Sequence, residues 1–268
     1  MMYFLSVVLI GTIYPIFLEV ISLKKISVGP PFYNKLIIPF LIPFLFAMAI
    51  GPKLKWIKSE LNNKLSLILF FIVSFLLSLF IIKKLDINFL INTVLVTSAF
   101  FLFFITLKDF FRVKFRNLAQ SLAHFGFSLF MLSILFNNIF SSEVITNLKV
   151  GETFQSDKLK INFVSLDKKN GKNFQAFVGK FEIKKSDGFL EILYPELRVY
   201  NQPNVVTSEA DIKTNLLSDR FITMNTVQNE EYFNIRYQHK PLMIWIWISV
   251  IIICFGGLLS LIRKKNED

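Results

Sequence analysis

The sequence predicts a membrane protein, an α-helical bundle of about six transmembrane helices with one extramembrane β-rich domain, barrel or sandwich, inserted before the last helix. Three observations carry this expectation. Hydrophobic residues make up 53% of the 268-residue chain, Phe alone numbers 32, and the mean hydropathy is +0.53, a composition foreign to soluble domains. Apolar runs long enough for a bilayer-crossing helix, about 20 residues, recur six times. Between the fifth and sixth runs, residues 141–240 change texture to period-two alternation with turn signals.

The runs fall at 1–21, 33–50, 65–82, 89–107, 118–140 and 241–262. The first lacks a charged n-region and a small-residue cleavage site, and Glu19 near its end suits an h-region poorly. It therefore reads as a retained helix, with Glu19 at the interface. The second is short and holds Pro39 and Pro43, which predicts a kinked helix or one packed inside a bundle. Between these two runs, Ile26 to Asn34 reads as a stiff, extended connector: Pro30 and Pro31 fix φ, Gly29 permits a tight bend, and Phe32 and Tyr33 suit the headgroup level. Lys240, Pro241 and Leu242 followed by Trp245 and Trp247 read as an interfacial helix start, with proline in the first turn and tryptophan anchors.

In the inserted segment, 159–163 and 177–183 alternate with period two, and Lys169-Asn170-Gly171 and Ser186-Asp187-Gly188 mark turns. The expected organisation is a five-helix transmembrane region at 1–140, an extracytoplasmic β-rich domain at 141–240, and a final helix with a basic tail at 241–268.

The formal charge of +11 resembles that of a nucleic-acid binder until it is located. Residues 141–240 carry 14 basic and 13 acidic side chains, so the excess lies in short loops and the tail beside apolar spans. That distribution is a topology signal and excludes nucleic acid as a partner. Lys53, Lys55, Lys58 and Lys64, then Lys108, Arg112, Lys114 and Arg116, then Arg263, Lys264 and Lys265 share one side; the opposite short loops hold Lys24, Lys25, Lys35, Lys83 and Lys84. The positive-inside rule places both termini on the cytoplasmic or matrix side and 141–240 on the other.

Little reactive chemistry is available. Cys254, the only cysteine, lies inside the last run, so the chain has no internal disulfide, CxxC pair, zinc site or CxxCH haem-attachment site. There is no P-loop, nucleophile elbow or HExxH, and no intramembrane carboxylate series or pair of discontinuous helices such as a transporter would need. His124, inside the fifth run, stands out. An ionisable group at membrane depth marks a functional site by default, and a neutral imidazole can place one nitrogen on haem iron. The alternative is a histidine hydrogen-bonded within the bundle. Ser121 and Ser128, one turn to either side, leave room for a flat macrocycle. His239, the other histidine, reads as a surface or interfacial residue on the outer face. The two differ in depth by roughly 20 Å or more, so they cannot ligate one iron from opposite sides. Met48 is the intrachain alternative as a second ligand.

Taken in order, several stretches resemble the C-terminal part of the CcmF family, the haem lyase component of the multi-subunit cytochrome c maturation system. They are Gly11-Thr12-Ile13-Tyr14-Pro15, the run from Lys25 to Asn34 with Gly29, Pro30 and Pro31, Gly51-Pro52 before Trp56, Ala123-His124-Phe125-Gly126, Tyr194-Pro195-Glu196-Leu197-Arg198-Val199-Tyr200, Thr207-Ser208-Glu209-Ala210, and Lys240-Pro241 with Trp245 and Trp247. Gly256-Gly257 in the last run also fits. The resemblance implies that His124 is an axial ligand of a membrane-embedded haem b. It implies that the second ligand and the tryptophan-rich haem-receiving segment lie upstream, on a separate polypeptide or on a missing part of a longer one. It further implies covalent attachment of haem to apocytochrome c, with CcmE-type and CcmH-type maturation proteins and the upstream half as partners. The membrane would be a bacterial inner membrane or, for an organelle-encoded chain, the mitochondrial inner membrane. No residue is assigned a catalytic role. The alternative is a non-catalytic membrane scaffold or assembly subunit in which His124 is structural.

Overall fold

The computed structural model describes residues 2–22, 26–54, 64–85, 89–112, 117–157, 159–185, 188, 190–227 and 231–267. The positive charges expected at Lys24, Lys25, Lys55, Lys58, Lys114 and Arg116, the residues Trp56, Ser186 and Asp187, and the side chains of Arg263, Lys264 and Lys265 lie outside that description. Among the described residues, six helices are long and apolar enough to cross a membrane: α1 Met2–Ser22, α2 Pro30–Ile50, α3 Lys64–Leu85, α4 Phe89–Phe111, α5 Leu118–Phe140 and α6 Met243–Glu267. The chain divides into two units, Met1–Leu132 with Ser249–Asp268, and Ser133–Ile248.

The helical unit is organised around α4. Leu95, Ala99, Phe101, Leu102 and Ile105 are buried along it, and α2 and α3 are its helical neighbours. Hydroxyl groups bond across the helices, Ser78 with Thr97 at 2.5 Å and Thr106 with Ser128 at 2.7 Å, as suits polar groups excluded from lipid. The α2–α3–α4 ends meet through charge: Lys53 Nζ donates to both carboxylate oxygens of Asp109, and Lys108 Nζ donates to Ser66 Oγ.

The connector before α2 corrects one expectation. Only Ile26 to Gly29 is non-helical, and α2 begins at Pro30, with both prolines in its first turn and Gly29 as N-cap. Proline lacks an N–H, but first-turn N–H groups have no intrahelical acceptor, so the fixed φ favours a helix start. Despite Pro39 and Pro43, α2 runs continuously to Ile50. Gly11 of α1 lies against the ring of Tyr33, where a β-carbon would sit 2.8 Å away, and Tyr3 Oη donates to the Leu36 carbonyl at 3.0 Å. Two of the resemblance-bearing stretches thus pack on each other.

The second unit is a β-sandwich. One sheet has the order β1 (Ser142–Leu148), β10 (Phe233–Pro241), β9 (Ser218–Thr226), β8 (Asp211–Thr214). The other has the order β2 (Thr153–Gln155), β3 (Leu159–Asn170), β4 (Phe174–Lys185), β6 (Glu196–Tyr200), β7 (Val205–Glu209), with β5 (Leu190–Leu193) also on β4. Inward positions meet as Ile161, Phe163, Phe181, Ile183 and Leu193 against Ile222, Met224, Ile235 and Tyr237; Phe163 and Phe181 stack at 4.3 Å. Period-two patterning produces this core because alternate side chains share a face.

The last helix starts later than expected. Pro241 ends β10, opposite Ser218, and its carbonyl accepts from Asn137 Nδ2 at 2.6 Å. Leu242 then takes a left-handed φ of 55° before α6 begins at Met243. Proline ends the ladder here rather than opening the helix, because pairing with β9 continues through it and Leu242 supplies the carbonyl that accepts from Trp245 and Ile246.

Candidate haem-ligand cavity in the helical unit

α5 presents two opposed faces. On one, Gly126 faces Ile252 and Ile253 of α6 so closely that a β-carbon would sit 2.8 Å from Ile253. Gly256 of α6 lies equally close to α5, where its β-carbon would be 2.8 Å from Ala123 N and 2.9 Å from the Ala119 carbonyl. Small residues let two membrane helices approach in this way, and the contact fixes the rotation of α5. Positions 117, 120, 121 and 124 follow the i, i+3, i+4, i+7 spacing of a different face.

That face lines a cavity of about 370 Å³, within the size range of small-ligand sites. Met48 and Ala49 of α2, Pro52 and Lys53 of the 3₁₀ turn Gly51–Lys53, Ile105, Thr106 and Asp109 of α4, Arg112, and Asn117, Gln120, Ser121 and His124 complete the wall. The Gly51-Pro52 stretch therefore carries Lys53 to the cavity. Lys53 and Asp109 pair at 2.7 Å with side chains 24% and 42% exposed. A pair this wet contributes little stability, on the order of 0–1 kcal/mol, so its consequence is positional. Among the described residues, Arg112 has no ion-pair partner and His124 has no hydrogen bond.

Of the two serines that flank His124, Ser121 lines the cavity and Ser128 does not. It is buried and bonded to Thr106, closing the helix pair one turn further along. Lys53, Asp109 and Arg112 escaped the sequence reading as site residues. An acidic residue inside a run of loop cations was the available signal. The donor set suits an iron porphyrin: one imidazole for iron, an apolar wall from Met48, Ala49 and Ile105, and cations at the rim. No group of three or more His, Cys, Asp or Glu side chains that could hold a metal ion occurs among the described residues, and Met48, the intrachain alternative as a second ligand, lines the same cavity as His124.

The other singled-out residues fall elsewhere. Pro15 is inside α1, and Asn34 lines a second, apolar cleft with Ile38, Pro39 and Asn92. In the sandwich, Pro195 is buried with its carbonyl accepting from Gly179 N at 2.9 Å. Glu196, Arg198 and Tyr200 share the outer face of β6. Arg198 Nε pairs with Glu196 at 2.8 Å, and its guanidinium stacks over Phe174 at 5.0 Å. Glu209 lies opposite Glu196 and accepts from Thr207. Lys240 lies opposite Asp219, Trp245 Nε1 donates to the Leu216 carbonyl at 2.8 Å, and Trp247 is exposed. His239 sits on β10 opposite Arg220, and partial burial with Lys185 and Arg220 nearby holds its pKa below the usual value.

The sandwich pairs a buried charge cluster with its apolar core. Arg220 Nε approaches Glu191 Oε2 at 3.3 Å between the sheets, and burial beside Glu191 pushes the Tyr237 phenol up to about 12. Sequence reading missed this cluster, although Glu191 shares the inward period of Leu193.

Residues 139–241 match the family model described as the CcmF C-terminal beta-sandwich. The chain is 26% identical over 277 residues to the cytochrome c-type biogenesis protein CcmF of Haemophilus influenzae, covering 97% of this chain and 43% of that protein. It is 26% identical over 269 residues to NrfE of the same bacterium, covering 96% and 42%. It is 24% identical over 268 residues to CcmF of Escherichia coli, covering 97% and 41%. The solved structure of a cytochrome c heme lyase CcmF matches with a TM-score of 0.67 at 20% identity, over 95% of this chain and 43% of that one, a likeness of fold. The chain spans less than half the length of the curated relatives it matches.

Proposed function

We propose that this chain, which corresponds to the C-terminal portion of the CcmF family, supplies one side of a haem b site in a membrane complex that attaches haem covalently to apocytochrome c. The observation that carries the proposal is the placement of His124. Its side chain lines the α2–α4–α5 cavity and has no hydrogen-bond partner among the described residues. An imidazole that opens on a cavity at membrane depth, beside an apolar wall and cationic groups, is what favours the ligand over the scaffold reading. An imidazole committed to iron keeps its second nitrogen for a water or a partner chain.

In this reading α5 orients the imidazole through its α6 contact, Met48, Ala49 and Ile105 exclude water from one side of the ring, and the second axial ligand comes from the upstream segment. Haem b, when bound, would supply an electron that keeps incoming haem iron reduced for thioether formation between its vinyl groups and the CxxCH thiols of the apocytochrome. The sandwich would dock the upstream half, a CcmE-type haem chaperone or a CcmH-type thiol protein. The chain would lie in a bacterial or mitochondrial inner membrane with both termini on the cytoplasmic or matrix side.

Haem titration tests the shared site. The isolated chain should give a weak, partly high-spin complex, and adding the upstream half should convert it to a low-spin spectrum. A stable bis-histidine spectrum from this chain alone contradicts the division of ligands.

A further inference from the structure

We propose that the cationic mouth of the His124 cavity, Arg112 together with Lys53, is a binding site for the carboxylate side chains of an iron porphyrin. The inference rests on the reading of His124 as an axial ligand and extends it to a part of the wall that reading does not use.

The cavity wall is chemically divided. Met48, Ala49 and Ile105 are apolar, while Lys53, Asp109 and Arg112 gather where α2 and α4 end. On α5 the same division runs along one face, from His124 back to Asn117 just before the helix starts. Seven residues of helix span roughly 10 Å, so Asn117 lies about that far along α5 from His124, and the cavity reaches over that length. A porphyrin of the protohaem type has its metal at the centre and both carboxylates on one edge. Iron held at His124 would bring that edge to the rim.

The three rim charges are not equivalent. Both oxygens of Asp109 are engaged by Lys53 Nζ, at 2.8 and 2.7 Å. The Arg112 guanidinium has no such engagement among the described residues. Its planar fork of donors matches a carboxylate bidentately, where an ammonium offers a point charge. Arg112 is therefore the primary carboxylate contact. Lys53, held in place by Asp109, keeps the rim net positive by one charge for the second carboxylate, and the Asn117 amide adds a neutral donor. Arg112 and Lys53 would hold the carboxylate edge of the ring at the rim, and Met48, Ala49 and Ile105 would offer it an apolar wall.

The test uses the full chain co-purified with its upstream half in detergent, stripped of haem and titrated with iron protoporphyrin IX or with its dimethyl ester. Charged hydrogen bonds of about 1.5–3 kcal/mol correspond to a preference of roughly 10- to 100-fold for the free acid. Arg112→Ala should lose most of that preference while keeping the Soret band shape, and Arg112→Lys should recover part of it. Arg112 is exposed past the last turn of α4, so neither change disturbs the packed helices. A wild type that does not discriminate, or an Arg112→Ala variant that discriminates as well as wild type, overturns the proposal. His124→Ala reports separately. It should alter the band shape of both porphyrins, and an unchanged band shape overturns the axial-ligand reading instead.

Discussion

Gly256 and Gly257 are neighbours on α6 with opposite surroundings. A β-carbon at Gly256 meets the α5 backbone at 2.8–2.9 Å, where nothing flexible can yield, while one at Gly257 meets nothing within 4 Å. Gly256→Ala should cost about 1–3 kcal/mol through overpacking. Gly257→Ala should be neutral or gain a few tenths to about 1 kcal/mol from helix propensity. Thermal unfolding in detergent separates the two; equal shifts would contradict the close α5–α6 contact that orients His124. A second residue-scale test lies in the sandwich. Arg220 and Glu191 are almost wholly buried, with side chains 12% and 6% exposed. Removing either partner alone leaves the other buried charge without this pairing, which costs up to about 3–5 kcal/mol. Replacing both with apolar residues of similar volume should recover most of the loss. A denaturant-based double-mutant cycle on the full chain reads this directly, and additive losses would show that the pair is not coupled.

At the scale of elements, chain pattern and fold agree where one dimension suffices. Six helices follow from run length and apolarity, and the sandwich strands β3 and β4 follow from alternation that continues through 159–163 and 177–183. Proline was ambiguous because it carries two meanings. Pro30 and Pro31 begin a helix although they read as a connector, and Pro241 ends a strand although it reads as a helix start; only the pairing partners decide. The resemblance-bearing stretches were legible as such, but the cavity was not. Lys53 and Asp109 stand 56 positions apart, and nothing local in either segment signals that they meet. Nor did the charged residues Glu191 and Arg220 read as inward, since a charge on a strand ordinarily marks the solvent face.

Strand β10 also carries a pH dependence. Partial burial beside Lys185 and Arg220 holds His239 below its ordinary value of 6.5 in the folded state. Its unfolded form therefore takes up a proton first as pH falls. The sandwich should lose stability as pH drops through 6.5 toward the folded value and keep it above that. His239→Gln should flatten that part of the pH–stability curve, and an unchanged slope would contradict it.

For the whole molecule, the described short-loop cations occupy both sets of helix ends. Lys53 ends the 3₁₀ turn after α2, Lys64 begins α3, and Lys108 and Arg112 lie at the end of α4, while Lys35, Lys83 and Lys84 lie at the opposite helix ends. Lys53 and Lys108 bond into the same cluster of helix ends, through Asp109 and Ser66. If that end faces the cytoplasm or matrix, protease added from the opposite side of oriented vesicles should cleave within 141–240, and cleavage from the Lys53 side would reverse the topology. If His124 holds the iron of a haem shared with the upstream half, the visible spectrum of the co-purified complex must depend on that imidazole. The wild type should show a low-spin Soret band that is lost or turns high-spin in His124→Ala and is restored when imidazole is added to the variant. A His124→Ala complex with the wild-type spectrum would contradict that ligation.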